Sequence, residues 1–148
     1  MIGFVVAACG SKDPAAGNNE NKEAPKSMVQ PKKVDDGKGV GEVKHVDLND
    51  PLDATMVSAG KNIYELKCSA CHKLSDQRVV GPGWKGVTDR RKPEWIMNMT
   101  LNADVMLEKD PEAQKMLKEC LVRMPNQNLS MEESRSVLEF MFSNDQGS

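Results

Sequence analysis

Cys68-Ser69-Ala70-Cys71-His72 is the stretch on which the reading of this 148-residue chain turns. Two cysteines separated by two residues, with a histidine directly after the second, form the attachment motif of c-type haem. The thiols add to the two porphyrin vinyl groups, whose separation the two-residue gap matches, and the histidine lies beneath the iron as proximal ligand. Other readings of the same residues are weaker. Zinc would need two further ligands, and Cys9, Cys120 and His45 do not make a second close pair. A thioredoxin-type pair belongs between a buried strand and a helix, yet Ile63-Tyr64-Glu65-Leu66 reads as helix. A disulfide between Cys68 and Cys71 would leave His72 without a role.

Length allows one ordinary domain plus a tail. The net charge of −2 carries no nucleic-acid signal. Aromatics make up only 4% of the chain, which is low for building a core. A buried haem would supply the large rigid apolar body that a small helical domain packs around. No run of eighteen or more apolar residues offers a membrane-spanning helix.

Two segments precede the expected folded unit. In residues 1–9, Val6-Ala7-Ala8-Cys9 resembles the lipobox of bacterial lipoproteins, in which the cysteine is lipidated and becomes the new N-terminus. The apolar stretch before it is short and lacks the basic residues of a signal n-region, so it reads as a signal remnant. Residues 10–49 are rich in Lys, Glu, Asn, Asp, Pro and Gly, and from Ser11 seven basic residues balance seven acidic ones. This composition predicts a disordered tether of root-mean-square span about 35 Å. Val43, Val46 and Leu48 suggest a short extended arm at its end.

The folded unit is expected over residues 50–148, all-α, with about four helices around one covalently attached haem. Asp50-Pro51 reads as an N-cap followed by proline at the first helical position. Ala59, Ile63 and Leu66 then repeat at helical spacing and deliver the haem motif at the helix end. Val79-Val80-Gly81-Pro82-Gly83-Trp84-Lys85-Gly86-Val87 is a loop, and a second helix starts at Pro93. A third starts at Asp110-Pro111. Ser130-Met131-Glu132-Glu133 is a capping box opening the last, with Val137, Leu138, Met141 and Phe142 as its apolar stripe.

In this order the residues resemble class I cytochromes c, small single-haem electron carriers, over roughly residues 51–144. The resemblance rests on Gly60 and Tyr64 in the first helix, the haem motif, the Gly81-Pro82 and Gly86-Val87 pairs, a tryptophan helix at Trp95, and Met124-Pro125 before the final helix. Trp84, where the family more often has an aliphatic residue, and the long segment between Trp95 and Met124 depart from the pattern. Among ten methionines, Met124 stands out because Pro125 disfavours helix before it and so presents the thioether from a loop. The resemblance implies that Met124 is the iron's sixth ligand. His45, the other histidine, lies in the tether segment. The resemblance also implies that the Pro82 carbonyl accepts the ring N–H of His72. The indole N–H of Trp95 is offered to a haem propionate, against a plain core role. Arg90 or Arg91 could neutralise propionate charge, and Cys120 reads as a buried free thiol on an apolar helical stripe.

A six-coordinate His/Met iron leaves no position for substrate and points to electron transfer rather than enzymatic chemistry. The expected role is a membrane-tethered carrier, extracytoplasmic and anchored by a lipid on Cys9, delivering electrons to a terminal reductase or oxidase. A cytochrome oxidase or a nitrous oxide reductase would fit that role. Alternatives are a cytochrome subunit of a stable redox complex, and a haem enzyme or sensor with a displaceable methionine. From Lys67 to Lys92 there are seven basic residues against Asp76 and Asp89. That bias predicts a basic face near the haem edge, docking an acidic surface on a redox partner. No small-molecule substrate and no nucleic-acid partner are expected.

Overall fold

The computed structural model describes residues 36–147; Cys9, with the signal remnant and most of the tether segment, lies outside them. Among the described residues there is no strand. They form six α-helices: α1 (Ala54–Ile63), α2 (Val87–Arg90), α3 (Pro93–Leu101), α4 (Ala103–Lys109), α5 (Pro111–Cys120) and α6 (Met131–Gln146). The all-α class is as expected, and α2 and α4 are additions to the four helices anticipated.

Local chemistry sets most helix starts. Ser130 accepts from the Glu133 N–H while the Glu133 carboxylate accepts from the Ser130 N–H, so both halves of the capping box on α6 are formed. Asp110 caps α5 by accepting from the Ala113 N–H at 2.8 Å, with Pro111 in the first turn. The start of α1 needs correction. Asp53, not Asp50, is the cap, because its carboxylate accepts from the Thr55 and Met56 N–H groups at 2.8 and 3.0 Å. Past Ile63 the helix widens into a π-turn, Tyr64–Cys68, closed where the Ser69 N–H donates to the Tyr64 carbonyl at 2.9 Å. The haem motif therefore begins where the helix changes pitch.

Helices α1 and α6 pack directly against each other. A Cβ at Gly60 would overlap the Ser136 carbonyl oxygen and lie 2.8 Å from the Phe140 Cβ, so only glycine lets the backbones approach this closely. One turn on, the Tyr64 ring meets Phe140 at 5.6 Å and Trp84 at 4.9 Å between centroids. Val137, Leu138 and Met141 of α6 are buried with Trp95, Ile96 and Met97 of α3 in one core.

The folded unit also starts earlier than residue 50. Residues 36–49 run along the helices as an extended arm in which Val43 is buried and Val46 packs against the core, while Leu48 is exposed. The tether composition concealed this because backbone hydrogen bonds hold much of the arm. The side chain of Asn98 on α3 accepts from the Val43 N–H and donates to the Val43 and Lys38 carbonyls, each at 3.0 Å.

Candidate functional site

The π-turn, the loop after it, α3, α5 and the segment between α5 and α6 enclose a cavity of about 580 Å³. That volume falls within the roughly 300–1,000 Å³ range of cofactor sites. Cys68, Cys71, His72, Pro82, Trp95 and Met124 all line it. The sequence separates the first from the last of these by more than fifty residues, and the helices bring them to one space.

Cys68 is buried at the end of the π-turn, and burial pushes its thiol pKa up to about 11. Burial thus disfavours the reactive thiolate at this position before attachment. Among the described residues no group of three or more His, Cys, Asp or Glu is arranged to hold a metal ion. His72 follows within a tight turn in which its N–H donates to the Cys68 carbonyl at 2.9 Å. Tyr64 fixes the turn from the helix side, its hydroxyl donating to the His72 carbonyl at 2.8 Å.

The His72 ring is held by the loop that follows. Nδ1 lies 2.8 Å from the Pro82 carbonyl oxygen. That oxygen can only accept, so Nδ1 carries the proton and Nε2 keeps its lone pair. Burial lowers the His72 pKa and outweighs the opposing effect of the Pro82 hydrogen bond, which keeps the imidazole neutral. A neutral ring with a fixed tautomer is the form that ligates a metal. Trp84, the departure from the family pattern, is buried with its ring centroid 5.7 Å from that of His72. The loop is pinned to α6 by Asp145, whose carboxylate accepts from the Gly86 N–H at 2.7 Å and from the Thr88 N–H and hydroxyl at 3.0 and 2.7 Å.

Met124 lines the same cavity, half-buried in the irregular segment after α5. Met99 and Met116 line the same space from helices α3 and α5, and Cys120 borders it half-buried rather than packed away in the core. His45 lies elsewhere, exposed and 2.9 Å from Asp47. The expected propionate bond of Trp95 is corrected. Its indole N–H donates to Asp110 at 3.0 Å within the core, so its single donor is already committed, although the ring still walls the cavity. Arg91 stacks over that ring at 4.8 Å and pairs with Glu112 at 3.1 Å. Asp110 escaped notice as a partner of Trp95 because its capping role on α5 accounted for it.

The residues fit haem c: two thiols for attachment and a neutral imidazole on the wall of a largely apolar cavity that a thioether also lines. The comparisons agree. A family model described as cytochrome c matches residues 57–145. The solved cytochrome c from Rhodothermus marinus is 33% identical, covering 76% of this chain and 96% of that one, with a TM-score of 0.72. An engineered form of that protein, solved bound to a carbene intermediate, is 34% identical over 74% of this chain and 95% of its own, at 0.68. A cytochrome c domain from Pseudomonas putida is 27% identical over 59% and 88%, at 0.53. No curated protein sequence matches the chain. With most of the described domain inside the matched region, the chain belongs to the cytochrome c family of haem-based electron-transfer proteins, and Cys68 and Cys71 are the residues through which it carries its covalent haem c.

Proposed function

We infer that this chain is a carrier with His72 and Met124 as the iron's axial ligands, passing electrons outside the cytoplasm to a respiratory terminal reductase or oxidase. What carries the reading is that His72, its free Nε2 set by the Pro82 carbonyl, and Met124 line one cavity with both attachment cysteines. Haem supplies one-electron iron chemistry when bound, at a potential that methionine ligation raises. The chain's own contribution is to hold the imidazole neutral and oriented, to offer a thioether from a loop, and to surround both with apolar walls. Lipidation of Cys9, with the residues after it as a leash, would keep the domain at a membrane. No helix among the described residues is long and apolar enough to cross one.

Docking would use the rim of the cavity. Lys67, Arg78, Arg90 and Arg91 line it, but Arg78 and Arg91 pair with Glu119 and Glu112 at 3.3 and 3.1 Å. Attraction to an acidic partner therefore falls mainly to the exposed Lys67, Lys73, Lys85 and Arg90.

A second reading, a haem protein with a displaceable methionine, is favoured by the carbene-bound engineered relative and by the loop position of Met124. Carbon monoxide decides between them. The reduced carrier should leave it unbound, and the oxidised protein should show the weak near-infrared band of a methionine–iron bond. Ready binding of carbon monoxide with no such band would favour the second reading.

A further inference from the structure

Helix α3 is a partition. Trp95, Ile96, Met99 and Thr100 face the haem cavity. Asn98, 1% exposed, is two residues from both Ile96 and Thr100, about 200° around a helix, and so points to the other side. There it meets the 36–49 arm, on which its amide spends three hydrogen bonds: one from the Val43 N–H and two to the Val43 and Lys38 carbonyls. No other side chain of similar size both accepts and donates in this pattern. Alanine would strip the arm of all three partners, and aspartate would set a carboxylate against two carbonyl oxygens.

The arm in turn touches the cavity wall. At Gly39, a Cβ would lie 2.7 Å from the Met106 Cε and 3.1 Å from the Trp95 Cδ1, so the arm's backbone rests on the edge of the tryptophan whose ring lines the cavity. The Val40 N–H donates to the Met106 Sδ at 3.1 Å. Lys38 ties the arm to α3 again, its Nζ lying 3.0 Å from the buried Glu94 carboxylate and donating to the Lys44 carbonyl at 2.6 Å. Trp95 then hands its position on, because its indole N–H donates to Asp110, the cap of the helix that leads to Met124.

We propose that Asn98 is a positioning residue: by clasping the arm to the back of α3 it fixes Trp95 and, through Asp110 and α5, keeps Met124 seated so that the iron's sixth position stays closed. This rests on the reading of Met124 as a ligand. Loosening the arm opens the site to exogenous ligands without touching any residue that faces the haem.

The test is titration of the oxidised full-length holoprotein with imidazole, alongside the near-infrared band. Asn98→Ala should bind imidazole at least tenfold more tightly than the wild type and lose part of the band. Lys38→Met and Val43→Ala, which slacken the arm without altering the sequence of α3, should shift both readouts the same way by less, and the exposed Glu42→Ala should shift neither. A folded Asn98→Ala protein with wild-type affinity and band overturns the proposal. Should Asn98→Ala yield no holoprotein, wild-type behaviour of both Lys38→Met and Val43→Ala overturns it equally. A wild-type protein that lacks the band removes the Met124 reading itself, and the proposal falls with it; a band present but insensitive to the arm removes the proposal alone.

Discussion

Gly81 lies against the imidazole of His72 so closely that a Cβ at position 81 would overlap the ring at Cε1 and sit 2.7 Å from Nδ1. The same loop supplies the Pro82 carbonyl that fixes the tautomer. A methyl group here must displace the ring or the loop. Gly81→Ala should cost about 1–3 kcal/mol of holoprotein stability, the usual range for overpacking. It should also shift the His72 ring signals in NMR spectra. Unchanged stability together with unchanged signals would contradict the contact.

Gly60 makes the corresponding claim for the fold. Because the clash at Ser136 is with backbone, no rotamer change relieves it. Gly60→Ala should therefore destabilise by about 1–3 kcal/mol or more by denaturant unfolding, despite the better helix propensity of alanine. A gain in stability would mean that α1 and α6 are farther apart than described.

Glu139 should govern acid sensitivity. Burial opposes its ionisation, but hydrogen bonds from the Asp53 N–H, Arg135 and Asn49, with the charge of Arg135, prevail and hold its pKa below the ordinary value. A lowered folded pKa contributes stability above the unfolded value of about 4.3, lost as pH falls through the folded pKa. Glu139→Gln should cost about 1–3 kcal/mol near neutrality, and the two melting curves should converge as pH falls through the lowered folded pKa. A difference that stays constant down to acid pH would rule out this linkage.

Leu121 ends α5 with φ 62°, ψ −2°, a left-handed conformation, and its side chain is 86% exposed. The position suits glycine, and little burial is lost by the change. Leu121→Gly should raise stability by about 0.5–1 kcal/mol, the backbone relief exceeding the entropy glycine adds to the unfolded chain. Thermal unfolding of the holoprotein reads the sign directly.

What could be read from the sequence was what short-range chemistry determines. The capping box at Ser130 and Glu133, the Asp110-Pro111 start and the haem pentapeptide each carry their meaning within a few residues. Helix α4 has only seven residues, and its buried Ala103, Met106 and Leu107 make too brief a pattern to stand out. The arm was hidden for a different reason. Its glycines and lysines match a solvated linker, and the partner that orders it, Asn98, lies 55 residues away from Val43. Trp95 shows the same limit, since an indole beside a cavity could face cofactor or core, and only the fold places Asp110 within its reach.

Met99 and Met116 share the cavity with Met124, so the choice among three thioethers decides the sixth ligand. The near-infrared spectrum of the oxidised holoprotein, compared across Met124→Ala, Met99→Leu and Met116→Leu, tests it most directly. The methionine–iron band should disappear only in Met124→Ala. A band that survives in Met124→Ala, or that vanishes in Met99→Leu or Met116→Leu, would place the sixth ligand elsewhere.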